Sequence, residues 1–497
     1  MKKQLFSCLK SLTFILLTAS IAFSAYHHMG ENDSDQFISV YPAKENTKLD
    51  SCALCHSGGS YEKYPDSGKF ITMGSCQWCH YKYGYDGTGN IVDTLNPYGK
   101  DFHYHGRNAD AVKAIESMDS DNDGFSNIEE IEALRYPGDP NDDPEKRIAP
   151  FRVYSKADLN QMPQHKQFML MNTHRSGDYY AEYTGVPLED LLADAGILDT
   201  ATGITVYAPD GWSTYHPLDA VAEPALYHIR GTYPQATYYY NAEAETWCDY
   251  NAPMCSSFSH GSIIPVTGGL KALLAMQRDG VKLTPGVLNN ENRLDGSGPY
   301  RIVVPQKEPC APDQSAKSEN QDVVWPFTDS WDHNAGFCTR SVTIIKVEPL
   351  PEGTTDIDVM EAGWDFVDNE KIIIYGAIQR QTGSVAGQLY SLENDTQKAT
   401  PGATITIVET GQMATSAADG SFQLDNVPIG TVSLSIKYDN HLMFMLDDIK
   451  VLENENTQLP ACTLPEIRNL WDIDNDHMMS LKDLIHWLKL LAGLDKH

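Results

Sequence analysis

Cys52-Ala53-Leu54-Cys55-His56 and Cys76-Gln77-Trp78-Cys79-His80 are two copies of a Cys-x-x-Cys-His pattern near the start of the chain. The spacing suits covalent haem: two thiols add to the two vinyl groups of one porphyrin, and the adjoining imidazole reaches its iron as proximal ligand. On this reading Cys52, Cys55 and His56 hold one haem c, and Cys76, Cys79 and His80 hold a second. The rival is a structural zinc ribbon, because the same four cysteines form two Cys-x-x-Cys pairs at a ribbon-like separation. A four-cysteine ribbon has no use for His56 and His80, so haem is preferred.

Candidate distal ligands flank the motifs. His27 and His28 precede them, and His103 and His105 follow. If residues 102–105 are extended, His103 and His105 share one face, and only one of them serves each iron. Met29 and Met73 are further candidates for a sixth position, and an open site on one iron is the remaining option.

The first residues carry Lys2, Lys3 and Lys10, an apolar run over 12–23, and small residues at Ala22, Ser24 and Ala25, the make-up of a cleavable secretory leader over 1–24. The run is short for a membrane span, so the expectation is an exported chain with no transmembrane segment after cleavage, periplasmic or at the cell surface. Cys8 leaves with the leader. Oxidising surroundings favour disulfides, and the local pairings are Cys248 with Cys255 and Cys310 with Cys338. Cys462 is left over, as a buried thiol or an intermolecular link. The net charge of -31, from 68 acidic and 37 basic residues, argues against nucleic acid, whose phosphates demand a basic footprint. At 497 residues with 41% hydrophobic content, several folded domains are expected.

Residues 119–130 read Asp-Ser-Asp-Asn-Asp-Gly-Phe-Ser-Asn-Ile-Glu-Glu, a twelve-position EF-hand loop at each diagnostic place. Calcium ligands would be Asp119, Asp121, Asp123, the Phe125 carbonyl, Asn127 through water, and bidentate Glu130, with Gly124 at the sharp turn. Apolar residues at helical spacing over 111–118 and 128–134 supply flanking helices. In an exported chain such an ion is a permanent staple. The Pro-, Gly- and Asp-rich stretch 136–144 then marks a domain boundary.

From 148 to 350 short strand-like runs (203–207, 300–304, 341–347) alternate with segments read as helical (187–195, 268–277), which makes an α+β domain. Tyr183-Thr184-Gly185-Val186-Pro187-Leu188, Ala208-Pro209-Asp210-Gly211-Trp212-Ser213 and Gly298-Pro299-Tyr300-Arg301-Ile302-Val303-Val304-Pro305 resemble phrases of the molybdopterin-binding domain of the sulfite-oxidase type. That resemblance implies a metal-binding Cys shortly before the Gly-Val-Pro-Leu segment. Here the stretch is Phe168-Met169-Leu170-Met171-Asn172-Thr173-His174-Arg175, without one, so molybdopterin is not expected and the fold is read as kept without its cofactor. Two haem motifs ahead of such a domain are similar to the bacterial dihaem proteins named for a Gly-Glu-Gly-Pro motif, over residues 26–379. The tetrapeptide here is Gly296-Ser297-Gly298-Pro299, which puts any role of that Glu in doubt. Tyr238-Tyr239-Tyr240, Tyr179-Tyr180 and Trp212 are core and rim packing, or contacts for a substrate, an electron or a sugar ring. His216, His228 and His260 with Ser262 match no hydrolase motif.

Between 377 and 463, alternating runs at 385–389, 403–408, 421–424 and 432–436 separated by turn residues give an Ig-like β-sandwich. Thr400-Pro401-Gly402-Ala403-Thr404-Ile405 and residues 418–430 resemble the carboxypeptidase regulatory-like domain. Residues 464–497 resemble one dockerin-type calcium loop and its helix, with Asp472, Asp474, Asp476, Met478 and Asp483 as weaker ligands; His477 stands where Gly is usual. A second loop is missing, which makes cohesin binding doubtful.

The expected protein is multidomain: a dihaem cytochrome c region (25–110), an EF-hand (111–135), a sulfite-oxidase-like α+β domain, the sandwich, and a calcium-loop tail. Its expected function is electron transfer with other cytochromes or redox proteins, with two covalent haems and one or two calcium ions. The alternatives are an oxidoreductase whose middle domain binds a substrate or altered cofactor and drains electrons to the haems, and a cell-surface redox sensor or carbohydrate-binding protein. Catalytic residues are not identifiable from the sequence.

Overall fold

Most of the chain is built from strands, and glycines and aspartates punctuate them. The computed structural model describes residues 32–45, 47–51, 53–57, 60–62, 70–72, 92, 95–173, 176–210, 212–221, 226–289, 294–313, 332–357, 363–393, 396–438 and 443–464. Cys52, Cys76, Cys79, His80, His27, His28, Met29, Met73, the leader and the second calcium loop lie outside them.

The head is helical. Asn32–Val40, Ala53–His56, Pro97–Tyr104, Ala109–Ala114 and Asn127–Glu132 surround a core of Phe37, Leu49, Leu54, Tyr98, Phe102, Ile115 and Ile131. Each later helix begins on a side-chain cap: the Gly99 amide donates to Asn96 Oδ1 at 2.7 Å, the Ala111 amide to Asn108 Oδ1 at 2.9 Å, and Ser126 forms a reciprocal box with Glu129.

The middle domain pairs two sheets. The first runs Val281–Lys282, Leu273–Arg278, Asp178–Pro187, His165–Met171, with Arg301–Val303 on the second strand and Cys248–Asp249 beside the third. Residues 268–277, expected to be helical, contribute the strand Leu273–Arg278 instead. Leu273, Leu274, Ala275 and Met276 are all buried, and such a short unbroken apolar run carries no period to separate strand from helix. The helix expected at 187–195 is present as Leu188–Asp194.

The second sheet begins with Ser213–Pro217, Gly203–Tyr207, Ile344–Glu348, Lys371–Gly376 and Phe151–Ser155. The strand Lys371–Gly376 is buried throughout and lies between two strands of the middle domain, so that domain extends well past residue 350. The sheet then continues into the C-terminal sandwich through Gly430–Lys437, Thr404–Ile407 and Met413–Thr415. The opposing sheet of the sandwich is arranged around Thr382–Glu393, and Val385, Leu389, Ile405, Leu424, Val432 and Leu434 fill the space between.

The splice is a single parallel bridge, Gly430 to Val153. Gly430 has φ +126, and a Cβ there would lie 2.2 Å from the Val153 carbonyl oxygen, so only glycine lets the strands meet. Beside it Lys371 Nζ reaches across to Glu409 Oε1 at 2.9 Å and Ser433 Oγ at 2.7 Å, all buried. Thr431 Oγ1 donates to Asp158 Oδ2 at 2.9 Å, and Lys450 pairs with the same carboxylate. The sandwich is therefore docked on the middle domain and does not hang from it.

Candidate functional site

Residues 53–56 of the first Cys-x-x-Cys-His motif are held on a prepared seat. Their helix, Ala53–His56, buries Leu54 in the head core and leaves Cys55 half-buried and His56 buried. Asn96, itself inaccessible, donates from Nδ2 to the Leu54 and Ser57 carbonyls at 2.9 Å each, while its amide donates to the Cys55 carbonyl at 2.8 Å. The open carbonyls of a short helix end are thus satisfied. Gly99 permits the approach, since a Cβ there would lie 2.4 Å from the Cys55 carbonyl oxygen.

Beside this seat Tyr98 Oη is fully buried and has no hydrogen-bond partner among the described residues. Burial, first, and then Cys55, Tyr41 and Glu116 push the phenol pKa up, so it stays a neutral donor in the neighbourhood of Cys55. A buried donor without an acceptor is costly. It fits a group attached at Cys55 that brings acceptor oxygens, as a porphyrin with carboxylate substituents does.

The two later imidazoles do not sit as an extended strand would place them. His103 lies within Pro97–Tyr104 and His105 caps its end, with ring Nδ1 2.8 Å from the Asp101 carbonyl oxygen; both are exposed. The Asn96 cap and Pro97 at the first turn start a helix here. On a helix, residues two apart point to different sides, so His103 and His105 do not share a face.

The acidic loop gathers as its spacing predicts. Carboxylate oxygens of Asp119, Asp121 and Asp123 lie within 4.8 Å of one another. Gly124, at φ +105, turns the chain, and its amide donates to Asp119 Oδ2 at 3.0 Å. Asp121 Oδ2, Asp123 Oδ2 and both Glu130 oxygens are buried without a partner among the described residues. Burial and then mutual repulsion push the Glu130 carboxyl up to about 10 and Asp121 up to about 7. Such a group of oxygens is the donor set of a hard divalent cation.

Asn127 differs from expectation. It is inaccessible, its Nδ2 donates to the Ile115 carbonyl at 2.8 Å and to Ser120 Oγ at 3.0 Å, and its Oδ1 accepts from the Ser120 amide at 3.3 Å. It ties the loop to the preceding helix rather than facing the carboxylates.

The stretch 136–144 is a packed joint and no slack linker. Asp142, buried, accepts from Lys48 Nζ at 2.8 Å, from the Tyr136 amide at 2.9 Å and from Thr355 Oγ1 at 2.9 Å. A Cβ on Gly138 would strike the Asn96 side chain at 2.5 Å. One carboxylate thereby ties the helical head, the segment after the acidic loop and the middle domain together.

In the middle domain the strand His165–Met171 fills the region before the Gly-Val-Pro-Leu segment with Phe168, Met169, Leu170 and Met171, all buried. Asn172 follows, its amide donating to Asn334 Oδ1 at 2.9 Å. Gly296-Ser297-Gly298-Pro299 works through its backbone: the Ser297 and Gly298 amides donate to the Thr284 carbonyl at 3.0 and 2.7 Å. A Cβ on Gly296 or Gly298 would lie 2.4 or 2.5 Å from a carbonyl oxygen of the facing segment. His216 is wholly buried, and desolvation pushes its pKa down to about 4, a neutral core imidazole. His228 stacks on Tyr233 at 4.3 Å, whereas His260 is exposed. Cys55, Cys248, Cys255, Cys310, Cys338 and Cys462 form no disulfide with one another, and the two local pairings expected are absent. Cys338 instead accepts from the Val304 amide at 3.4 Å, and Cys310 from Gln306 Nε2 at 3.1 Å.

No known family profile matches the chain, and no curated protein matches it. Among solved structures, the sulfane dehydrogenase SoxCD of Paracoccus pantotrophus aligns over 58% of this chain and 64% of its own, at 12% identity and a TM-score of 0.20. A type II cohesin–X-dockerin complex from Acetivibrio cellulolyticus covers 22% of this chain and 72% of its own, at 19% identity and a TM-score of 0.16. A minor pilin of Streptococcus agalactiae covers 20% and 49%, at 10% identity and a TM-score of 0.15. The chain is multidomain and mostly β. Among the described residues no helix is long and apolar enough to cross a membrane.

Proposed function

We propose that this chain is an exported dihaem c-type cytochrome that passes electrons to and from other redox proteins, in the periplasm or at the cell surface, with calcium stapling its head. The observation that carries the reading is the pair of Cys-x-x-Cys-His motifs, Cys52 to His56 and Cys76 to His80. Further support comes from the seat of residues 53–56 on Asn96 and Gly99 and from the Tyr98 hydroxyl beside Cys55, which has no partner among the described residues. Each haem, when bound, supplies one-electron chemistry. The chain's own part is to fix the proximal imidazole, exclude water around it and set the local charge.

Calcium belongs at Asp119, Asp121, Asp123 and Glu130, where four buried oxygens lack partners among the described residues. The likeness to the Gly-Glu-Gly-Pro dihaem proteins agrees with this order of parts, and the middle domain then serves as scaffold for the head.

The test is absorption of protein matured in a host that attaches c-type haem, oxidised and reduced, with the denatured haem–pyridine complex used to count haems. Two covalent haems per chain are expected. Protein without haem that binds one zinc would overturn the reading and make residues 52–79 a ribbon.

A further inference from the structure

We propose that the cleft beside the Cys248–Asp249 strand binds a neutral saccharide chain, a site that stands apart from the haem reading. The cleft has a volume of about 900 Å³, opens to solvent, and is walled by Tyr179, Tyr238, Tyr240, Trp247, Tyr250 and Phe258. That volume is within the range of about 300–1,000 Å³ usual for small-molecule sites.

The aromatic walls are braced from behind. Tyr180, in the core, stacks on Tyr250 with centroids 5.7 Å apart and on Phe168 at 5.6 Å, and Phe168 stacks on Phe258 at 5.5 Å. Tyr240 meets Tyr250 edge to face at 5.1 Å and is 40% exposed, so part of its side chain is open to a ligand in the cleft. Holding rings this way leaves little side-chain freedom to be lost on binding.

Polar groups line the same cleft. Glu245 accepts from Tyr240 Oη at 2.8 Å, Asp249 accepts from the Asn251 amide at 2.8 Å, and Arg278 lies 4.3 Å from the centre of the Tyr179 ring. Tyr250 Oη lies against the Cys248 thiol, which is its hydrogen-bonding neighbour on the cleft wall. A pyranose ring has an apolar C–H face bounded by hydroxyls that both donate and accept. Ring platforms beside carboxylate, amide and guanidinium groups match both features.

Other ligands fit less well. A flat apolar cofactor would strip water from Glu245, Asp249 and Asn251 without replacing their hydrogen bonds. A polyanion would meet those two carboxylates. An organic cation would find the Tyr179 face already taken by Arg278.

The experiment is calorimetric titration of the full haem-loaded chain with cellohexaose, xylohexaose, chitohexaose and maltohexaose at millimolar concentration. At least one is expected to saturate. Tyr240→Ala, an exposed change that spares the core, should weaken it at least tenfold; Tyr240→Phe, which keeps the ring, should not, nor should Tyr104→Ala on the head. No saturation by any of the four, saturation by choline in their place, or saturation indifferent to Tyr240→Ala would overturn the proposal.

Discussion

At Glu409 both carboxylate oxygens accept the Ser433 amide at 2.9 Å, and one also meets the Lys371 ammonium; at Glu130, buried as deeply, neither oxygen has a partner among the described residues. Both are interior carboxylates of one chain, yet only the first is neutralised by side chains. Water withdraws from each at comparable cost, and the first site recovers that cost within the fold. The second avoids it by holding its proton, or, on the proposed calcium reading, recovers it from a cation. A buried carboxylate is therefore an internal lock in one region and, on the proposed calcium reading, a cation ligand in the other.

The largest effect should come from opening the lock. Lys371→Met leaves Glu409 buried without its counter-charge, which costs about 3–5 kcal/mol, while Lys371→Met with Glu409→Leu should recover most of the loss. Urea unfolding of the full chain measures both; a single variant as stable as the parent would show that the pair is no lock.

Removing the ion should come next. At calcium about a hundredfold above Kd the loop contributes about 2.7 kcal/mol, so chelation should lower the melting temperature measured by calorimetry. Glu130→Gln should erase most of the difference between calcium and chelator, and Lys371→Met should leave that difference intact.

A smaller effect separates the regions by pH. Glu130 and Asp121 titrate near 10 and 7 in the fold, against reference values of 4.5 and 3.8. The unfolded chain therefore ionises first, and the stability these groups lend to the ion-free protein is whole below about pH 4. It drains away as pH climbs toward the folded values. In chelator the melting temperature should fall between pH 5 and 8, less steeply with calcium. Asp178, held near 8 by burial first and also by Asp313, adds a slope that calcium does not touch. Equal slopes with and without calcium would count against the loop as a cation site.

Smallest are the ties around the loop. Asn127→Ala takes the acceptor from the buried Ser120 amide and one of two donors from the Ile115 carbonyl, and should cost about 1–3 kcal/mol, whereas Arg107→Ala, which loses the exposed pair with Asp33, should cost under about 1 kcal/mol. Equal losses would mean that Asn127 is less central than its burial implies.

Much of this was legible beforehand because local chemistry dictated it. The loop at 119–130 declares itself through ligand spacing and Gly124, and the sandwich strands through alternation over 385–389 and 432–436. Residues 268–277 were misread because four buried apolar residues carry no period, and their strand is imposed by neighbours from 178–187 and 301–303. Asn127 fills a ligand position in the motif, yet its engagement with Ile115 and Ser120 is tertiary. The Lys371–Glu409 pair joins residues 38 apart on different domains, which no spacing rule anticipates. The cleft at Tyr240 was visible only as scattered aromatics, since the fold alone assembles them with residues from 177–179 and Arg278.

The Gly430–Val153 bridge has a mechanical consequence. A tug on the chain near residue 464 enters the sandwich and crosses into the sheet that carries Phe151–Ser155 and Lys371–Gly376. The load is then shared between the chain near residue 377 and the cross-ties at Gly430–Val153, Lys371–Glu409 and Thr431–Asp158. Anything gripping the C-terminal module would move the middle domain with it as one stiff stock, and through Asp142 and Thr355 would carry the helical head along.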